Sequence, residues 1–177
     1  MVGAFFDIII TKKGIYNNLN KINLLLGEIE IFGIIITKYT KLSDLDIIYL
    51  HNNENIEIYN FDSMTSIIIN NIFSNKYVGQ LTIHFIDNKL DNMLFRVFDL
   101  INGNLNPTKY VERLYIINNW LQGILVNYDE FNSKFIIDKE HPENSSIEYK
   151  NDSMIINSQF LSDSHHNCAE FNSILFI

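Results

Sequence analysis

The chain has 177 residues, of which 47% are hydrophobic and 19% charged, so it is long and apolar enough for one domain with a buried core. This composition excludes intrinsic disorder, and the formal net charge of −8 argues against binding to nucleic acid or anionic membranes, because both depend on clustered lysine and arginine. No apolar run approaches the roughly 18 residues of a membrane-spanning helix, so we expect a single globular domain over residues 1–177 with no membrane contact.

The cysteine count bears on the cellular compartment. Cys168 is the single cysteine, which excludes an intramolecular disulfide and a multi-cysteine zinc site. Lys12 and Lys13 follow the apolar start of the chain, whereas a secretory signal places its positive charges first. We therefore expect a cytoplasmic protein.

The N-terminal part of the chain alternates between strand and helix patterns. AFFDIIIT, residues 4–11, is typical of a buried strand, and the apolar spacing over 15–26 predicts an amphipathic helix that ends at Gly27. Three short β runs follow within residues 28–60, namely EIEIFGIIIT, DIIYL and IEIYN. The segment 62–73 suits a capped helix or a strand, and we favour the helix.

The clearest periodicity lies in the middle of the chain. YVGQLTIHF, which starts at Tyr77, predicts a strand, and the apolar residues of 90–101 recur at helical spacing until Gly103. Asn106 followed by Pro107 predicts the start of a second helix, because Asn suits the cap and Pro the first helical position.

Short β runs dominate the chain after Gly123. ILVNY, FIID, SIEY and MIIN predict four strands, and Ser162 or Ser164 opens either a short terminal helix or an extended tail. The whole pattern predicts an α/β or α+β single domain, with a mainly antiparallel or mixed sheet and about four helices packed on it.

Metal-ligand residue types cluster near the C-terminus. Asp163, His165, His166, Cys168 and Glu170 lie within eight positions, and Cys168 near a histidine also has the composition of a thiol nucleophile. On a helix, however, only His165 with Cys168 or His166 with Glu170 would share a face. We therefore predict no metal and no cofactor here, and we favour a solvated turn with a small, half-buried thiol.

Two further groups carry weaker signals of chemistry. Asp44 and Asp46 form the acid-x-acid pair with which some transferases hold a divalent ion, but no glycine-rich phosphate loop accompanies them. His51 and His84 have no partner pattern. We assign no catalytic residue, and a small metal- or thiol-dependent enzyme stays as the alternative.

Arg96 and Arg113 are the only guanidinium groups in the chain. Each has an acidic neighbour, Asp99 and Glu112 respectively, so ordinary surface pairing is the favoured interpretation. The alternative is that both arginines converge on a carboxylate or phosphate ligand.

Negative charge is concentrated toward the C-terminus. Between Asp129 and Glu170, nine carboxylates stand against three lysines, which accounts for −6 of the total −8. Such a region either keeps the protein soluble or docks a basic partner, since opposite charge speeds association and helps to select the partner.

Four segments follow one another along the chain: FFDIII, INLLLG, DNMLFRVFDLINGNLNPTKYVERL and SMIINSQFLSDSHHNCAEFNSILF. In this order they resemble the immunity proteins that neutralise secreted interbacterial toxins. The resemblance implies a non-enzymatic inhibitor that binds a cognate toxin domain and blocks its active site or holds it inactive.

If the toxin is a nuclease, it is basic in order to meet phosphate, and an acidic inhibitor suits it. Under this hypothesis, the expected partner-binding residues combine carboxylates with two aromatic anchors: Tyr128, Asp129, Glu130, Phe131, Glu140, Glu143, Glu148 and Asp152. A third interpretation is an accessory or structural protein of viral or mobile-element origin, which the composition rich in Ile and Asn permits.

Overall fold

Antiparallel strands make up most of the residues that the structure describes. The computed structural model describes residues 20–23, 26–75, 77–99, 110–126, 132–162 and 168–177. Within them the chain forms 11 strands in two antiparallel sheets, one helix longer than six residues and two 3-10 turns.

The smaller sheet has three strands in the order β1-β2-β3. They are β1 (Lys21–Asn23), β2 (Glu28–Ile31) and β3 (Ile34–Ile36). Phe32 and Gly33 connect β2 to β3 with φ of 50° and 80°, the left-handed conformation of a tight two-residue hairpin. The predicted β run EIEIFGIIIT is therefore a hairpin.

The larger sheet has eight strands in the order β4-β5-β6-β7-β11-β10-β9-β8. Its strands are β4 (Ile56–Phe61), β5 (Met64–Ser74), β6 (Tyr77–Ile86), β7 (Lys89–Asp99), β8 (Asn132–Ile136), β9 (Ser146–Lys150), β10 (Met154–Ser162) and β11 (Cys168–Phe176). The helices are α1 (Ile47–Asn52) and α2 (Tyr110–Ile124), and the 3-10 turns are Leu42–Asp44 and Pro142–Asn144.

Polar turn residues connect β4 to β7 as a meander. Asp62, Asn75, Asp87 and Asn88 have φ between 48° and 68°, a conformation that Asp and Asn tolerate better than most residues. Asp87 and Asn88 form a two-residue turn between the paired residues Ile86 and Lys89. Turn chemistry thus fixes the register of the hairpins.

Helix α2 packs on one face of the large sheet, which we call the inner face. On β6, every second residue from Tyr77 to Phe85 is buried and points to this face. Trp120 of α2 is 1% exposed, and its Nε1 donates to the Ile72 carbonyl oxygen at 2.9 Å. A Cβ on Gly79 would collide with the Trp120 ring, so this glycine permits the helix to approach. The opposite face is called the outer face.

Both sheets contribute to one cluster of buried apolar side chains. Ile29 and Ile36 of the small sheet and Ile69 of the large one are each 0% exposed. The Val126 N–H donates to the Ile22 carbonyl oxygen at 3.0 Å, which ties β1 to the end of α2. The core therefore crosses from one sheet to the other.

Two predicted helices are wrong, because most of the described residues there lie in strands. Most of segment 62–73 lies in β5, and most of segment 90–101 lies in β7. The described end of the chain is the extended strand β11 and not the short helix that was the other alternative. The apolar residues of 90–101 fit helical spacing, but Met93, Phe95 and Val97 also alternate, and their pairing with β6 buries them. Tertiary pairing decides between two patterns that this sequence fits equally.

Two predicted strands and the first predicted helix also need correction. DIIYL belongs to α1, because Asp46 Oδ1 accepts the Tyr49 N–H at 3.0 Å and caps a helix. ILVNY begins with the last residue of α2, and its end lies outside the described residues. In the predicted helix over 15–26, the described residue Ile22 lies in β1. The described residues contain two α-helices, fewer than the four or so expected for the chain.

Other expectations are confirmed. IEIYN, YVGQLTIHF, FIID, SIEY and MIIN all contribute to strands, and the helix expected after Pro107 is α2. The predicted strand 4–11 and the start at Asn106 and Pro107 lie outside the described residues. Among the described residues, no helix is both long and apolar enough to cross a membrane.

Candidate binding surface

The predicted acidic residues that the structure describes lie at one edge of the large sheet. Of the described strands, β8 is the outermost there; it pairs with β9 and has all five residues exposed. Phe135 of β8 contacts Tyr115 of α2, with ring centroids 5.2 Å apart, so the strand is held against the helix on its inner face. We call residues 132–153 the β8–β9 edge.

Two of the predicted residues, Glu148 and Asp152, line a shallow cleft at this edge. The cleft has a volume of about 290 Å³ and is lined by Asn132, Ser133, Lys134, Glu148, Lys150, Asn151 and Asp152. Lys134 stands directly opposite Glu148 across the β8–β9 pair, an arrangement that stabilises antiparallel strands. Charge inside the cleft is therefore mixed, with two carboxylates and two ammonium groups.

Glu140 and Glu143 lie at the other end of β9, in the connection from β8. This connection is fixed by Asp138, whose Oδ1 accepts the N–H of Glu140 at 3.0 Å and of His141 at 2.8 Å. The bond from His141, followed by that from Glu140, lowers the pKa of the Asp138 carboxyl. Glu143 Oε1 lies 3.5 Å from His141 Nδ1.

The carboxylates are thus distributed along β9. Strand β9 itself is five residues long, about 17 Å at 3.3 Å per residue. Glu143 precedes it, Glu148 lies within it and Asp152 follows it. The other four predicted contact residues, Tyr128, Asp129, Glu130 and Phe131, lie outside the described residues. The structure brings Glu148 and Asp152 together and keeps Glu140 and Glu143 apart from them.

The acid-x-acid pair has local structural partners. Asp44 Oδ2 accepts the Lys41 N–H at 2.9 Å, and Asp46 caps α1. One oxygen of each carboxylate therefore bonds to a backbone N–H group at a turn or helix start.

The histidine and cysteine candidates have few described contacts. His84 Nδ1 lies 2.8 Å from Ser66 Oγ on the outer face. Cys168 opens β11, and the neighbouring Asp163, His165 and His166 lie outside the described residues, as does the side chain of His51. In the part of the chain that the structure describes, no three His, Cys, Asp or Glu side chains are grouped to hold a metal.

The two arginines do not converge. Arg113 lies on α2 over the inner face and makes a two-bond ion pair with Glu170 of β11, with Nη2 to Oε1 at 2.9 Å and Nε to Oε2 as the second contact. Arg96 is exposed and alternates with the buried Phe95 and Val97, so it points to the outer face. The sequence interpretation of Arg113 beside Glu112 missed a partner 57 positions away.

A polar chain on the outer face was also missed. Gln80 Nε2 donates to Asn70 Oδ1 at 2.7 Å, Asn70 Nδ2 donates to Glu57 Oε1 at 2.8 Å, and the Tyr59 hydroxyl donates to Glu57 Oε2 at 2.5 Å. The Glu57 carboxylate raises the pKa of Tyr59, because it accepts a hydrogen bond from the neutral phenol and its negative charge disfavours the phenolate. The alternation in IEIYNF places Glu57 and Tyr59 on one face, but the partners on β5 and β6 depend on strand register.

A scan of the chain against protein-family models finds no match, and searches of curated proteins and of solved structures find none either.

Proposed function

We propose that the protein is a non-enzymatic binding protein of the immunity type, which inhibits a cognate protein toxin through the β8–β9 edge. The observation that supports this proposal is the exposed outermost strand β8, with carboxylates in the connections at both ends of its partner β9. An exposed strand edge offers backbone groups to an extended segment of a partner.

Charge selects the class of partner. The β8–β9 edge holds five carboxylates and three lysines within a chain of net charge −8. A basic domain, such as that of a nuclease, associates faster and more selectively with this negatively charged edge. The partner-binding role extends to Tyr128, Asp129, Glu130 and Phe131, which directly precede β8 in the chain.

The first test is co-expression with the product of the adjacent upstream reading frame. We expect the chain to rescue growth from that product and to co-purify with it. If the two proteins neither form a complex nor alter growth, the proposed function is wrong.

The second test measures association kinetics of that complex. The variant pair Glu140→Lys with Asp152→Lys reverses one carboxylate at each end of β9. The control pair Glu30→Lys with Glu54→Lys makes the same change of net charge on the small sheet and in the turn before β4. We expect the test pair to associate about tenfold more slowly at low salt, with the difference shrinking as salt screens the charges. Equal rates for both pairs would remove the β8–β9 edge from the proposal.

A further inference from the structure

A second exposed surface lies near the opposite edge of the large sheet. Phe61, Met64 and Ile86 are consecutive partners across β4, β5 and β6, so their side chains share the outer face. Tyr59 lies two residues further along β4 on the same face. Phe61 is 71% exposed, Tyr59 55% and Ile86 40%. We call these four residues the hairpin-tip surface.

The hairpin-tip surface is ordered by hydrogen bonds. The chain from Gln80 through Asn70 and Glu57 fixes the Tyr59 hydroxyl, so the ring is held in one orientation. The two turns are also joined, because the Asp87 N–H donates to the Ser63 carbonyl oxygen at 3.0 Å. An aromatic side chain that is already fixed loses less conformational entropy when it binds.

The rim of this surface is acidic. Glu57, Asp62, Asp87 and Asp91 are all exposed. Two exposed lysines stand against them: Lys89, on the same row as Phe61, Met64 and Ile86, and Lys41, which bridges to Lys89. A second copy of the chain would bring carboxylates against carboxylates, and an anionic membrane would be repelled. The charge complement of the rim is a protein surface with lysine or arginine around an apolar centre.

We propose that the hairpin-tip surface is the apolar anchor of the interface, and that it receives an apolar patch ringed by Lys or Arg on the partner. This inference rests on the proposed function, since the occupant is the same basic partner.

The division of labour predicts different kinetic effects. Exposed charges at the β8–β9 edge act mainly on the association rate, whereas an apolar anchor acts on the dissociation rate. Aromatic residues such as tyrosine are enriched among the residues that contribute most of the binding energy in such anchors. Loss of Tyr59 and Phe61 therefore speeds dissociation and leaves association nearly unchanged.

The test uses the complex of the full chain with the product of the adjacent upstream reading frame. The variant pair Tyr59→Ser with Phe61→Ser removes the anchor. The control pair Leu26→Ser with Tyr39→Ser removes apolar groups of similar exposure, 66% and 77%, that lie off this surface. We expect dissociation to be at least about tenfold faster for the first pair, equivalent to about 1.4 kcal/mol of binding free energy, and near wild type for the control.

Hydrogen exchange of the wild-type complex gives a second measurement that needs no substitution. We expect slower amide exchange in residues 59–64 and 84–89 when the partner is bound. If the wild-type complex forms but the variant dissociates normally or these amides gain no protection, the inference is overturned while the proposed function stands. If the wild-type complex does not form, both are overturned.

Discussion

Gly79 has a hydrogen atom in place of a Cβ, and this allows α2 to pack closely against the large sheet. A Cβ at this position would fall inside the contact distance of Cζ2 and Cε2 of Trp120, whose ring also stacks on Phe95 with centroids 5.7 Å apart. We expect Gly79→Ala to lower the free energy of unfolding by about 2–3 kcal/mol, because the ring has to shift within a packed core. Urea unfolding measures this change.

The control for Gly79 is Gly33→Asn. Gly33 has φ of 80° and nothing within 4 Å of an added Cβ, and Asn tolerates this conformation. A side chain at this φ is still strained, so we expect a loss of about 1 kcal/mol, smaller than the loss for Gly79→Ala. Replacing the indole by a smaller side chain, Trp120→Leu, should recover part of the unfolding free energy that Gly79→Ala loses. If the two effects simply add, contact with the indole is not the cause.

The Asp138 carboxyl gives the β8–β9 connection a dependence on pH. Its lowered pKa means that the folded state prefers the ionised form, so its contribution is present above the ordinary value of 3.8 and is lost as pH falls through the lowered folded value. We expect the difference in unfolding free energy between wild type and Asp138→Ala to be constant above about pH 5 and to narrow below about pH 4.

Chemical denaturation across this pH range checks the Asp138 prediction. Lys139→Ala is the matched variant, since it alters the next residue without removing an acceptor of backbone N–H groups. A difference between wild type and Asp138→Ala that keeps its size down to pH 3 would show that the two N–H bonds do not favour the ionised form.

Between elements, the ion pair of Arg113 and Glu170 joins α2 to β11. The side chains are 15% and 20% exposed, and Glu170 Oε1 also accepts from Asn172 Nδ2. Removing either partner leaves the other charge poorly solvated. We expect Arg113→Met or Glu170→Met to cost about 2 kcal/mol each, with a coupling of at least about 1 kcal/mol between them.

A double-mutant cycle by urea denaturation measures this coupling. The double variant should lose clearly less free energy of unfolding than the two single variants lose together, because neither charge is left without its partner. Additive losses would mean that Arg113 and Glu170 stabilise the fold independently of each other.

The elements also show how far the sequence determines the fold. Strand β6 is predictable, since every second side chain is buried and turns bound it. Strand β7 is not, because isoleucine-, leucine- and phenylalanine-rich segments satisfy both the helical and the alternating pattern. The two-residue turn at Asp87 and Asn88 was the local signal that favoured the strand.

The candidate surfaces divide in the same way. The excess of carboxylates from residue 129 onward can be counted in the sequence. The distribution of these carboxylates along β9, and the position of Lys134 opposite Glu148, depend on the pairing of β8 with β9. The contacts of Arg113 with Glu170 and of Gln80 with Asn70 join different elements. Periodicity along one segment carries no information about such partners.

For the whole molecule, the shared core predicts one cooperative unit. Ile36 of the small sheet and Trp120 over the large sheet belong to the same buried cluster, and each is at most 1% exposed. We expect urea unfolding followed by Trp120 fluorescence and by far-UV circular dichroism to give coincident transitions. Buried Trp120 should report unfolding and resist quenching in the folded state.

The decisive variant is Ile36→Ala, which creates a cavity far along the chain from Trp120. If both sheets unfold together, the loss of about 2–5 kcal/mol expected for a fully buried isoleucine moves both transitions by the same amount. If the small sheet unfolds separately, the circular dichroism changes early while Trp120 fluorescence keeps the wild-type midpoint. Because the Val126 N–H bond to the Ile22 carbonyl joins β1 to the end of α2, opening the small sheet also exposes the end of the helix that Trp120 anchors, and coincident shifts are the expected result.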